Sequence, residues 1–300
     1  MLTRLTTLAA AAAAVFLAAC AAPSLPAGPQ ALAPQAFSGA GAANSAQALS
    51  LAQAFEGSAP LQALVDEVLA NNRDLRAAAA RVRQQQLLAE ARGAERLPQL
   101  DATAGAQRQR AYTPAGTVAN GNVYSVGTGA HWELDLWGRL GNAANAASQD
   151  AAATARDRDA AALSLAAQAV SLQTELIGLG HRLQLARETL TVQRQLLAIV
   201  KARVDAGRGT AADTARAESL LASTEASVPL LRNAACLTRL RLDVLRGQPP
   251  ADCAKADADP IPALPAPRLV DMATLPSPAT LLAQRPDVQA AFARAAAQAA

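Results

Sequence analysis

Lysine is almost missing from this 300-residue chain: Lys201 and Lys255 are the only two, beside 25 arginines. The net charge of +3 is too slight and too scattered to mark a nucleic-acid-binding surface. Aromatic residues make up 3% of the chain, and it holds two histidines and three cysteines. That leaves little material for a metal centre, and His131 and His181 lie far apart. No phosphate-binding glycine loop appears, and Gly127-Thr128-Gly129 reads better as one face of a strand. We therefore expect no enzyme: no catalytic residue, no metal, no cofactor beyond a covalent lipid, and no nucleic acid partner.

What is abundant is alanine, 81 of 300 residues. Alanine at this density favours helix and lets helices approach closely. The composition points to long packed helices rather than a sandwich or jelly roll.

Arg4 is the one charge before an apolar stretch from Leu8 to Leu17. The stretch is too short to span a bilayer, which takes about 20 apolar residues, and it fits the apolar region of a secretory signal. Leu17-Ala18-Ala19-Cys20 follows and resembles the bacterial lipobox. Residues 1–19 then form a lipoprotein signal peptide, and Cys20 opens the mature chain with S-diacylglycerol and N-acyl groups. Several acyl chains suffice for stable anchoring. Ala21 resembles an outer-membrane address. A plain signal peptide with an incidental cysteine is the alternative.

Residues 20–59 are rich in Ala, Pro, Gly and Ser without periodicity and read as a flexible tether. A first helix is expected over 60–98, ending at Leu97-Pro98. The period then changes to two. Asp101, Thr103, Gly105, Gln107 and Gln109 alternate with Leu100, Ala102, Ala104 and Ala106. From 124 to 136, Tyr124, Val126, Thr128, Ala130, Trp132, Leu134 and Leu136 share one face, opposite Ser125, Gly127, Gly129, His131, Glu133 and Asp135. Two strands joined by a turn-rich segment, 113–122, are predicted within 99–137. One apolar and one polar face fit a soluble antiparallel sheet or a transmembrane barrel hairpin with Tyr124, Trp132 and Trp137 near the headgroups. An isolated hairpin is not stable in water, and no other strand-like run is evident. The membrane reading follows, and two strands then need partners, because a closed barrel takes at least about eight.

From 138 to 247 the period is helical. A heptad seam runs through Leu165, Ala169, Leu172, Leu176, Leu179, Leu183, Ala186, Leu190, Gln193, Leu197, Val200 and Val204. Gly207-Arg208-Gly209-Thr210 breaks it. A second seam returns through Ala217, Leu221, Thr224, Val228, Leu231, Ala235, Thr238, Leu242 and Leu245 to Gly247. This predicts a long helical hairpin with its tip near residue 208, bent near Gly178 and Gly180 and kinked at Pro229. Residues 248–276 form a Pro-rich linker. Leu69 to Arg81 resembles Leu282 to Arg294 at a constant offset of 213, so 277–300 reads as the start of a second repeat and the sequence as a fragment.

These residues together support a family resemblance. His131-Trp132-Glu133-Leu134-Asp135-Leu136-Trp137-Gly138-Arg139 resembles the strand-to-helix junction of TolC-like outer-membrane factors. In matching order follow Arg203 to Gly207 with Thr210 and Asp213, Leu242 to Pro250, and Leu282 to Val288. With the lipobox, the chain resembles the NodT-type lipoprotein branch of efflux outer-membrane channels. Ala212, where leucine is frequent, and Asn142 and Asn145, where charge is common, depart from the pattern. The fold class implied is mainly α with a small transmembrane β-hairpin: a TolC-like α/β-barrel protomer, incomplete, with a long coiled-coil hairpin.

The resemblance implies a full-length homotrimer with four strands per protomer in a twelve-stranded barrel. It is set in outer-membrane lipid and continues into a periplasmic tunnel. It also implies docking on a periplasmic membrane-fusion adaptor that couples to an inner-membrane pump, of the resistance-nodulation-division type. Arg203, Gly207, Thr210 and Asp213 would form the tip that meets the adaptor and holds the aperture. Gly207 and Gly209 equally suit a plain helix turn, and Arg203 and Asp213 solvated helix charge. A periplasmic coiled-coil lipoprotein acting as adaptor or scaffold is the alternative, though it would not use an amphipathic strand pair. Cys236 and Cys253 are within reach of a disulfide, or are a small buried side chain and a free thiol.

Overall fold

A computed structural model describes residues 59–112, 114, 116–250, 253 and 277–300. The signal peptide, Cys20, the tether and most of the Pro-rich linker lie outside the described residues. The described elements are α1 (Ala59–Asn71), α2 (Arg73–Ala94), β1 (Gln99–Tyr112), β2 (Val118–His131), α3 (Arg139–Asp205), α4 (Ala211–Leu245), α5 (Pro278–Gln284) and α6 (Pro286–Ala299). The fold is mainly α with one small antiparallel sheet. The chain divides into two compact units: among described residues, 80–157 with 285–300, and 59–79 with 158–284.

The second of these units holds the helical hairpin. All twelve seam positions of α3 and all nine of α4 are buried or half-buried, while most of their neighbours in sequence are exposed. A stripe recurring at about 3.5 residues buries itself lengthwise against a partner helix. The pairing is antiparallel. Arg194 meets Glu225 at 3.0 Å, and seven residues further on Lys201 meets Glu218, seven residues back, at 2.9 Å. Leu64 and Val68 of α1 join Ala169 and Leu242 in the core, with Leu165, Leu172, Leu176 and Leu245 packed around it. α3 runs as one continuous helix through Gly178 and Gly180. α4 likewise continues through Pro229. The proline removes one i→i−4 bond, and Pro229 and Glu225, whose carbonyl loses it, are both exposed to water.

The expected single helix over 60–98 is corrected to two, because Asn72 separates them. Asparagine disfavours helix interiors and suits the N-cap. Its Oδ1 accepts the Leu75 N–H at 2.9 Å, and its Nδ2 donates to the Leu245 carbonyl at 3.0 Å. Arg285 stands at the corresponding place between α5 and α6, 213 residues on, so the break recurs at the offset of the sequence match.

In the other unit, β1 and β2 pair in register from Gln99↔His131 to Tyr112↔Val118. Two boundaries differ from expectation. Residues 118–122 belong to β2 rather than the turn, because they pair with residues 112–108 of β1. Trp132 to Leu136 leave the strand despite their alternation, folding into a turn in which the Leu136 N–H bonds to the Leu134 carbonyl at 2.9 Å. Arg294 of α6 pairs with Asp157 of α3, and Val82, Leu140, Ala151, Ala153 and Ala290 are buried.

Candidate functional site: the strand-to-helix junction and the helical tip

At the junction the chain passes from strand to helix in seven residues. Gly138 supplies a left-handed φ of 75° that an L side chain rarely adopts. Asp135 then caps α3: its Oδ1 accepts the Leu140 N–H at 3.1 Å and its Oδ2 the Gly141 N–H at 2.7 Å. A carboxylate at a helix N-terminus meets unsatisfied N–H groups and the positive end of the dipole. The Gly141 N–H above all holds the Asp135 carboxyl below the usual carboxylate range, with Leu140 and the Arg96 charge adding to it. Arg139 grips both oxygens of Glu133, at 2.7 and 2.8 Å. Trp132 donates its indole N–H to the Arg96 carbonyl at 3.1 Å, tying the end of β2 to the approach of β1. The junction is a capped, cross-braced corner, suited to hold two strands at a fixed angle to a long helix.

The expected interface aromatics separate. Tyr124 lies within β2 on its exposed apolar face, and Trp132 comes directly after the strand, half exposed. Trp137 is 94% exposed but sits in the turn, outside the strand face.

The tip gathers all four expected residues. α3 ends in a Schellman turn: Gly207, φ 70°, donates to the Val204 carbonyl at 2.9 Å, and Arg208 donates to the Arg203 carbonyl at 2.8 Å. Arg203 occupies the last turn, exposed. Thr210 is the N-cap of α4 in a full capping box: its Oγ1 accepts the Asp213 N–H at 3.3 Å, and Asp213 Oδ2 accepts the Thr210 N–H at 3.0 Å. The Thr210 hydroxyl is the largest of the influences drawing the Asp213 carboxyl below its ordinary value, followed by the Thr210 backbone N–H and the positive charges of Arg216 and Arg203. Beside the turn an open groove of about 380 Å³ is lined by apolar Leu196, Val200, Ala217 and Leu220 and charged Arg203, Arg208, Asp213 and Arg216. A groove of this kind can receive an apolar side chain while charged groups orient its neighbours.

At the other end of the hairpin, Gly247 terminates α4 with φ 71° and a second Schellman pair of bonds. Glu67 forms an ion pair with Arg246 at 3.2 Å and accepts a hydrogen bond from Gln248 at 2.8 Å. Cys236 and Cys253 form a disulfide with Cα atoms 5.5 Å apart. Among the described residues no group of three or more His, Cys, Asp or Glu side chains could hold a metal ion. Sequence reasoning missed Asp135 and Asn72 as positioning residues. Asp135 was findable as an acid shortly before a glycine and a helical run; the Asn72–Leu245 contact carries no local signal.

An amphipathic two-stranded ribbon passing through a capped corner into a coiled-coil hairpin is the protomer architecture of TolC-like outer-membrane channels. The solved outer-membrane channel OprN superposes with a TM-score of 0.68 and 28% identity over 93% of this chain and 61% of that one. The pyoverdine export outer membrane protein OpmQ of Pseudomonas aeruginosa is 33% identical over 249 residues, 80% of this chain and 52% of that protein. The fusaric acid resistance protein FusA of Burkholderia cepacia is 33% identical over 226 residues, 73% of this chain and 42% of that protein. The chain spans about half the length of the curated relatives it matches. The family described as outer membrane efflux protein matches residues 64–248. The chain belongs to that family, whose place is the outer membrane and whose members are channels rather than enzymes.

Proposed function

We propose that the protein is the outer-membrane component of a tripartite efflux system, a passive exit duct for small molecules. The observation that carries this is the β-hairpin. Its strands of 14 residues exceed the 9–11 that cross a bilayer when tilted about 45°. One face is exposed and apolar at its junction end, and the other carries Gln, Asp, Thr, Ser and Gly. Among the described residues the outer edges of both strands are unpaired in the two-stranded sheet. A barrel leaves no edge in lipid, so further strands must close it. Homotrimerisation of the full-length protein, with four strands from each protomer, supplies them around a common axis, and the helical hairpins serve the periplasmic side.

In this reading Cys20 carries the lipid anchor. Arg203, Gly207, Thr210 and Asp213 present the tip groove to a periplasmic membrane-fusion adaptor, which couples to an inner-membrane pump of the resistance-nodulation-division type. Composition alone would let a window of α3 cross a bilayer. Its charged pairs with α4 at Arg194 and Lys201 argue for an aqueous hairpin instead. A periplasmic scaffold would leave the β-hairpin's apolar face without a partner.

A photo-crosslinking residue at Ala212, exposed beside the groove, tests the reading in cells. The expected product is a covalent adduct with the adaptor, absent from a control at Ala222. No adduct from 212, or equal adducts from both sites, would refute tip docking.

A further inference from the structure

The β-hairpin register interrupts its apolar face at one level. From the junction outward, that face carries the cross-strand pairs Leu100↔Ala130, Ala102↔Thr128, Ala104↔Val126 and Ala106↔Tyr124. The next two pairs on the same face are Arg108↔Asn122 and Arg110↔Asn120, before Tyr112↔Val118 closes the ribbon. Both arginines are exposed, and residues 102–132 contain no Asp or Glu. Alternation forbids their turning inward without flipping Tyr124 and Val126 into the polar face. They are lipid-side charges that nothing in the ribbon neutralises.

Their height can be worked out. From His131, the last residue of β2, to Asn122, the partner of Arg108, is nine residues, or about 30 Å along the strand at ~3.3 Å per residue. With a strand tilt of roughly 40° this is about 23 Å of membrane depth, close to the height of about 25 Å of the apolar band of an outer-membrane barrel. Arg108 therefore stands at the band's far boundary and Arg110 about 5 Å beyond it, in the headgroup layer. That end lies at the far end of the ribbon from its junction with α3, so in the membrane reading it belongs to the outer leaflet.

We infer that Arg108 and Arg110, with the amides of Asn120 and Asn122 beside them, form a binding site for the phosphate groups of outer-leaflet lipid, of the lipid A type. This rests on the membrane reading above. Guanidinium groups match phosphate oxygens in a planar, two-point geometry that lysine cannot reproduce. The flanking amides supply donors to the remaining oxygens. The tyrosines at Tyr124 and Tyr112 bracket the arginines on that face, so the site is a basic belt between two amphipathic rings. It fixes the depth at which the ribbon sits.

The test uses the full protein purified from outer membranes, with lipid A carrying both phosphates and dephosphorylated lipid A as probes, and bound lipid counted by native mass spectrometry. At about a fivefold gain per surface charge, R108Q/R110Q should bind phosphorylated lipid A roughly thirtyfold more weakly and dephosphorylated lipid A as wild type does. R108K/R110K, which keeps the charge but loses the two-point geometry, should bind phosphorylated lipid A more weakly than wild type and more tightly than R108Q/R110Q. Equal binding of phosphorylated lipid A by wild type and R108Q/R110Q overturns the inference. Quenching of Trp132 fluorescence by brominated lipid, read against Trp132→Phe, is measured in parallel. Quenching with unchanged lipid A binding overturns this site alone; absence of quenching in the wild type overturns the membrane reading and the site together.

Discussion

Two glycines with the same backbone angle should respond very differently to the same substitution. Gly207 and Gly247 both end long helices with φ near +70°. A methyl group at Gly207 would meet nothing within 4 Å, so Gly207→Ala loses only the conformational freedom of glycine, about 1 kcal/mol. At Gly247 the added Cβ would lie 2.4 Å from the Asn71 carbonyl oxygen and 3.2 Å from its carbon. That oxygen belongs to the last residue of α1 and cannot swing aside as a side chain could. Relief requires α1 or the end of α4 to shift, breaking the contacts of Glu67 with Arg246 and Gln248. An overpacking penalty of about 2 kcal/mol adds to the dihedral cost, so Gly247→Ala should lose about 3 kcal/mol. With a urea slope of about 2 kcal/mol/M, the unfolding midpoint followed by helical circular dichroism should fall by about 0.5 M for Gly207→Ala and about 1.5 M for Gly247→Ala. Equal shifts would refute the claim that the close approach of α1, rather than the turn itself, demands glycine at 247.

Asn72→Ala removes a cap and leaves the Leu245 carbonyl without its donor, at about 2–3 kcal/mol; Asn72→Asp keeps the cap yet loses that donor, so denaturation should rank it between wild type and Ala. The Asp135 and Asp213 carboxyls are both depressed in the folded protein. Their contribution is therefore complete above the ordinary aspartate value of about 3.9 and is lost as pH falls through the folded values. A pH titration of the urea midpoint should flatten at its acid end in Asp135→Asn and Asp213→Asn, and an unchanged profile would contradict the cap geometry. For Cys236 and Cys253, alkylation of denatured protein should gain two labelled thiols on reduction, and Cys236→Ser should cost about 3 kcal/mol; no gain on reduction would show the thiols free. Intact mass should place acyl groups on Cys20, and a mature chain without them would remove the anchor.

What was legible in the sequence was whatever repeats along one element. The heptad seams of α3 and α4 could be written residue by residue, because burial in a coiled coil depends on spacing alone. The tip was legible for a similar reason: glycine past a helix end and Thr210 three residues before Asp213 are local signals of a stop and a start. What was not legible depends on partners distant in sequence. The break at Asn72 hides inside a helical pattern, and only the Leu245 carbonyl on another helix makes it worth keeping. Trp132 to Leu136 alternate as cleanly as any strand, yet the chain before Gln99, from Glu95 to Pro98, is the turn leaving α2 and offers no strand to pair with.

The hairpin shows where pattern stops being sufficient. Alternation alone makes Leu100 to Ala106 and Tyr124 to Ala130 largely apolar on one face, and that apolar pattern stops at Arg108 in the first strand and at Asn122, which reads as the end of the turn. Register changes their meaning. Because Arg108 pairs with Asn122 and Arg110 with Asn120, these residues extend the ribbon beyond its apolar band while keeping the band's outward direction. A turn would end the membrane contact at Tyr124; a paired extension carries two charges past it on the lipid side. The difference between a short transmembrane ribbon and one that also grips the headgroups therefore lies in two backbone pairings that single-strand periodicity cannot express.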